Sequence, residues 1–150
     1  MKPGKQPRED AARQLTVEIK NLQSLSEWGA DNLDRGAKGL AQQLSRQGDD
    51  LDTQIRRIMG AFRKVEANLA GKGSELTDEL VRSQVLLLRP RLAYAAARKV
   101  RGRSHPLDPL YNVMSAAIDR VKTMSDFARL MNFMEAIVAY YKAFKEKVLS

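Results

Sequence analysis

The chain has 150 residues, 43% of them hydrophobic, which is enough for one folded domain with a buried core. It contains no cysteine, which excludes disulfides and cysteine-based zinc sites and fits a cytoplasmic protein. No apolar run exceeds six residues, so we expect neither a membrane span nor a signal peptide.

The net charge of +8 is concentrated in the middle of the chain. Residues 53–103 hold 12 basic and 4 acidic residues, whereas residues 1–52 and 104–150 are close to neutral. A positive charge confined to one structural unit is typical of a surface that binds a polyanion. A solvated basic surface without a ligand is the alternative interpretation.

Helical periodicity of apolar residues predicts an all-α fold, a bundle of about five helices in one domain over residues 10–150. Residues 1–9 are polar and predict a flexible tail. The first helix is expected from about residue 10 to about residue 25. A second, weaker helix spans residues 33–44 and is interrupted by Gly36 and Gly39, since internal glycine disfavours helix.

A third helix is predicted from Asp52 to Leu69, with apolar residues along one side. The opposite side carries two basic pairs, seven residues or about 10 Å apart. These pairs are candidate RNA-binding residues: Arg56, Arg57, Arg63 and Lys64. Gly60 lies between the pairs and is small enough for another backbone to approach closely.

A fourth helix is predicted from about Asp78 to Arg101, with a kink at residues 86–90 caused by Pro90. Its apolar residues lie on two sides, which places it near the centre of the bundle. Further candidate RNA-binding residues on it are Arg89, Arg91, Arg98, Lys99 and Arg101. Arg91 and Arg98 share a face with Tyr94. Arg82 and Arg89 share another face. One of these two sets is expected to pair with acidic residues inside the protein, and the other to contact a partner.

The remaining chain predicts two more helices. Asp108 and Pro109 are typical of a helix start, and this helix is expected to end near Thr123. Ser125 and Asp126 predict the cap of a last helix that reaches about residue 147. Two aromatic residues of this helix lie off its core stripe and are predicted to contact a neighbouring subunit: Phe133 and Tyr140.

Catalytic motifs are missing from the sequence. There is no glycine-rich phosphate loop, HExxH pair, nucleophile elbow or spaced set of metal carboxylates. The single histidine, His105, is interpreted as a polar residue of the loop at 102–109. We therefore expect no enzyme activity, catalytic residue, metal or cofactor, although a composite site shared with a partner stays open.

Two segments carry a resemblance to a known family: LRPRLAYAAAR at 88–98 and FARLMNFMEAIVAYYKAF at 127–144. With the helix start at Thr53 to Arg56, they resemble the small, all-helical subunit of type III-A CRISPR effectors, the Csm complexes. The resemblance covers residues 52–147, and the first fifty residues match poorly. Ala97 stands where family members often have glycine, a change that matters little inside a helix.

The resemblance implies a non-catalytic subunit of an RNA-guided effector in antiviral defence. Several copies would stack as a filament beside the backbone and large subunits and grip the target RNA and guide RNA. Basic residues would hold the phosphate backbone regardless of base sequence. The alternative hypothesis is a basic helical scaffold that binds an acidic protein partner instead of RNA.

Overall fold

The computed structural model describes residues 11–47, 50–97 and 106–149. These residues form helices and short connections and contain no strand, which confirms the all-α fold class. The α-helices are α1 (Ala11–Lys20), α2 (Ala30–Ser45), α3 (Asp52–Ala70), α4 (Asp78–Leu86), α5 (Leu88–Ala97), α6 (Asp108–Ile118) and α7 (Met124–Lys145). Two 3-10 turns lie at Leu25–Glu27 and Gly73–Glu75. The predicted tail at 1–9 and the predicted loop residue His105 lie outside the described residues.

The longest helix, α7, forms the centre of the bundle and packs against α2, α3, α4 and the 3-10 turn Leu25–Glu27. It begins after Thr123, whose hydroxyl accepts from the backbone N–H of Asp126 while the Asp126 carboxylate accepts from the Thr123 N–H. This reciprocal pair is a capping box, so the predicted cap at Ser125 is wrong by two residues.

The first fifty residues contribute to the same core through Trp28, which is 2% exposed. Its indole Nε1 donates to Glu18 Oε2 at 2.8 Å, and its ring meets the ring of Phe133 edge-on, with centroids 4.8 Å apart. Phe133 is fully buried, so its predicted contact with a neighbouring subunit is wrong. The first helix ends at Lys20, before its predicted end near residue 25, and the 3-10 turn Leu25–Glu27 then packs against α7 directly before Trp28.

The second helix, α2, is continuous despite its two internal glycines. A Cβ atom at Gly36 would lie 2.6 Å from Leu15 Cδ1 of α1. Glycine at this position therefore lets α1 and α2 approach closely, and packing compensates for its poor helix propensity.

The structure confirms the predicted apolar side of α3. Six residues of that side are buried: Ile55, Ile58, Met59, Phe62, Val65 and Leu69. The helix begins after Leu51, whose backbone N–H donates to the hydroxyl of Tyr141 at 2.9 Å. This buried hydrogen bond joins the start of α3 to α7 and so fixes where the basic side of α3 lies.

Replacing Tyr141 with phenylalanine should lower the free energy of unfolding by about 1–3 kcal/mol, because the buried Leu51 N–H loses its acceptor. Urea unfolding followed by circular dichroism measures this loss. Tyr140→Phe is the matched control, since the Tyr140 hydroxyl donates to Asp34 at an exposed position. We expect the control to lose less than about 1 kcal/mol. Equal losses in the two variants would contradict the role given to Tyr141.

The predicted fourth helix is divided at Leu87 into α4 and α5, which confirms the predicted kink. Thr77 caps α4 by accepting from the backbone N–H of Leu80. Pro90 lies in the first turn of α5, where a backbone N–H has no partner within the helix, so proline is tolerated there.

The predicted central position of this helix is wrong. Leu87 is 56% exposed and Tyr94 is 72% exposed, because α4 and α5 pack along one side only. Their neighbours in the bundle are α3, α6 and α7. Leu87 and Tyr94 of the second apolar stripe therefore face solvent, and α7 takes the central place.

The start of α6 also differs from its prediction by one residue. Asp108 is the first helical residue rather than the cap, and Pro109 lies in the first turn. The helix ends at Ile118, five residues before the predicted end at Thr123. Residues 121–123 instead lead into the capping box of α7.

Candidate nucleic-acid interface

The basic side of α3 lies on the surface, as the sequence predicts. All four candidate side chains are exposed: Arg56, Arg57, Arg63 and Lys64. Gly60 between them is exposed too, and a Cβ atom added there would meet no atom within 4 Å. The middle of this face is therefore open to the approach of a large ligand.

Two of these residues have ion-pair partners. Arg56 pairs with Asp52 at 2.9 Å, and Arg63 pairs with Glu66 at 3.6 Å and with Glu135 of α7 at 3.2 Å. The side chains are between 42% and 69% exposed, so water screens each pair and a stronger ligand can compete with it. These ion pairs partly neutralise Arg56 and Arg63, the first residue of each basic pair.

Arg57 and Lys64 differ from that pattern. Within residues 11–47, 50–97 and 106–149, no acidic side chain forms an ion pair with either of them, nor with Arg91 of α5. An arginine without a carboxylate partner keeps its planar set of donors available for a phosphate. Among the candidate RNA-binding residues that the structure describes, these three are the ones without an ion-pair partner.

A groove of about 340 Å³ lies between α3 and α5 and brings Arg57 and Arg91 together. The groove floor is apolar and includes Ile58, Phe62 and Leu92. Tyr94 also lines the groove. Two predicted candidates from different helices therefore belong to one surface feature, which the sequence did not show.

Arg89 points in a different direction from Arg91. Its guanidinium donates to the backbone carbonyl of Ser115 at 2.9 Å and to Asp119 Oδ1 at 2.6 Å, both on the α6 side. Arg82 donates to the carbonyls of Ile118 and Val121. Arg82 and Arg89 are thus the set that pairs inside the protein, where they hold the end of α6. The predicted RNA contact of Arg89 stays a prediction, because its guanidinium is bonded to α6 rather than directed at the groove.

The other three candidates follow α5 directly in the chain. Arg98, Lys99 and Arg101 lie outside the described residues, so their predicted contacts with RNA stay predictions. The part of the chain that the structure describes contains no cluster of three or more potential metal ligands. None of its helices is long and apolar enough to cross a membrane.

The model of a protein family described as Csm2 Type III-A matches residues 27–147. The chain belongs to the Csm2 type III-A family. The predicted resemblance to the small type III-A subunit is confirmed, and the match begins earlier than predicted, so that it includes Trp28 and α2. No curated protein and no solved structure matches the chain.

Membership of the Csm2 family makes this protein a small subunit of the type III-A CRISPR effector complex, where it acts with other subunits. The groove and the basic side of α3 both lie within the matched residues. Sequence reasoning missed the groove itself, because its apolar floor has the same pattern as core. The sequence feature that could have indicated the groove is Tyr94, an aromatic residue one turn after Arg91 on a helix of small residues.

Proposed function

We propose that this Csm2 family member is a non-catalytic cytoplasmic subunit that grips the phosphate backbone of the target RNA and guide RNA. The residues that do so are Arg57, Lys64 and Arg91, together with the paired residues Arg56 and Arg63 beside them. The observation that supports this proposal is a single groove lined by both Arg57 of α3 and Arg91 of α5, neither of which has an acidic partner in the described chain.

Such a surface suits an RNA-guided complex. Base pairing between guide and target selects the sequence, so a protein subunit needs charge and shape rather than contacts to base edges. Arginine binds phosphate through two parallel hydrogen bonds in any sequence context. Cations on two helices would also orient the RNA strand on the subunit, because they would contact successive phosphates rather than a single one.

Stacked copies would extend this surface along the RNA. Identical subunits that meet head to tail through different surfaces form open filaments. Each copy would then add its own cations to a continuous basic track beside the backbone and large subunits. Membership of the family supports a filament, and the exposed cations of each copy are compatible with it.

A salt titration tests the proposed function. Replacing Arg57, Lys64 and Arg91 by glutamine should flatten the dependence of RNA affinity on salt in the assembled complex. The slope of log affinity against log salt should change by about 0.7–0.9 for each phosphate contact removed, hence by about 2–3 for each copy that contacts RNA. Fluorescence anisotropy with target RNAs of unrelated sequence measures the slope, and all sequences should respond alike.

Replacing Arg35 and Lys38 of α2 by glutamine serves as the control, because both are exposed and neither lines the groove, so the slope should stay unchanged. An unchanged slope in the triple variant would overturn the proposed RNA grip. If the triple variant instead failed to assemble with the other subunits in the absence of RNA, the basic face would be the docking surface for an acidic protein partner.

A further inference from the structure

The groove between α3 and α5 has two features that a grip on phosphates does not require. Its floor is apolar, with Ile58, Phe62 and Leu92 among the lining residues. Its rim carries Tyr94, which is 72% exposed and makes no hydrogen bond with any residue that the structure describes. A tyrosine so exposed contributes little to the stability of the fold, and its ring is accessible to a ligand.

We infer that this groove holds one unstacked nucleobase of the bound RNA, with the base against Tyr94 and the flanking phosphates on Arg57 and Arg91. This inference rests on the proposed function and adds a base contact to it. The occupant must carry a flat apolar face and negative charge at the same time. A nucleotide has both, and the groove is lined by apolar residues together with Arg57 and Arg91.

The dimensions and energies agree with this occupant. Pockets that bind small ligands begin at about 300 Å³, and the groove measures about 340 Å³, which suits a group of the size of one base. Stacking of a base on an aromatic side chain contributes about 1–3 kcal/mol and tolerates any base, because every base has a π-face. The contact therefore keeps the binding independent of sequence.

The surroundings of Tyr94 favour access to its ring. Ala93 and Ala97 on the same helix are exposed and small, so neither covers the ring with a long side chain. Pro90, one turn earlier, also lines the groove. A base inside a regular duplex is covered by its neighbours, so the groove takes a nucleotide that has left the stack.

Replacing Tyr94 by alanine tests the inference in the assembled complex. Affinity for target RNA should fall about 5- to 150-fold, the effect of losing one stacked base, while the salt slope stays unchanged. Tyr94→Phe should restore the affinity, since its ring stacks without a hydroxyl. In complexes whose RNA carries 5-iodouridine at successive positions, light should cross-link the RNA to residue 94 at defined positions.

The outcomes separate this inference from the proposed function. If Tyr94→Ala binds RNA as tightly as the unmodified protein while the triple glutamine variant loses salt dependence, the grip on phosphates stands and the base contact is wrong. If Tyr94→Phe is as weak as Tyr94→Ala, the hydroxyl rather than the ring makes the contact, which also overturns stacking. If Tyr94→Ala blocks assembly with the other subunits before RNA is added, the groove holds a protein segment and the inference is wrong.

Discussion

Reversing the charges of Arg57 and Arg91 together should weaken the binding of target RNA by the assembled complex about 100-fold or more. Each hydrogen bond to a charged group contributes about 1.5–3 kcal/mol, and two such contacts are lost at once. Every 1.4 kcal/mol is about tenfold in affinity, and the new glutamates repel phosphate as well. Filter binding at fixed salt, with several unrelated target sequences, measures the change.

Substituting Arg57 and Arg91 distinguishes an effect on RNA binding from an effect on folding better than substituting the other candidates. Arg57 and Arg91 are exposed and have no ion-pair partner in the described chain, so their substitution breaks no ion pair there. Arg63 pairs with Glu135 of α7, and its reversal would also disturb the packing of α3 on α7. A loss of RNA binding by an Arg63 variant would therefore have two explanations.

The matched control is Arg35→Glu with Lys38→Glu, two exposed residues of α2 away from the groove. This control makes the same change in net charge. We expect its RNA affinity to stay within a few-fold of the unmodified protein, since long-range effects are screened at physiological salt. If the control weakens binding as much as the groove variant, the effect comes from net charge and the groove has no special role.

Replacing Asp126 with alanine should produce the largest loss of stability, about 3–5 kcal/mol in the free energy of unfolding. The side chain is 1% exposed and accepts three backbone hydrogen bonds, from Ser26 at 2.8 Å, Lys122 at 2.9 Å and Thr123 at 3.2 Å. A buried donor left without its acceptor costs about 1–3 kcal/mol. Urea unfolding at pH 7 measures the loss, and Asp31→Ala at an exposed position should cost less than about 1 kcal/mol.

The same residue should make stability depend on pH. Burial disfavours the charged carboxylate, but hydrogen bonds from Lys122, Ser26 and Thr123 outweigh it and hold the pKa of Asp126 below its usual 3.8. Because the pKa is lower in the folded than in the unfolded state, the stabilisation is complete above the unfolded pKa. It is lost as the pH falls through the folded pKa.

We therefore expect the unfolding free energy to decrease as the pH falls below about 4. Asp126→Asn removes the titrating group, so its stability should change less over that interval. Urea unfolding between pH 7 and pH 2 compares the two proteins. Parallel curves would show that other carboxylates cause the acid sensitivity.

Much of the local structure could be predicted from the sequence. The apolar side of α3, its exposed basic side and the interruption near Pro90 all depend on residues within a few turns of one another. Periodicity and backbone chemistry act over that range, so the pattern alone indicates them. The family resemblance was also visible, because its motifs are short continuous segments.

Contacts between distant segments were decided only by the tertiary structure. Asp126 holds Ser26 across 100 positions of sequence, and Trp28 covers Phe133, which the helical pattern had placed on the outside. Arg89 and Arg91 are two positions apart, yet one is bonded to α6 and the other opens onto the groove with Arg57.

The physical reason is that a helical pattern gives the direction of a side chain about its own axis but not the element that packs there. The sequence by itself therefore determined the helices, the basic middle of the chain and the family. The packing of α5 against α3 and α6 decided which cations are available and created the groove between Arg57 and Arg91.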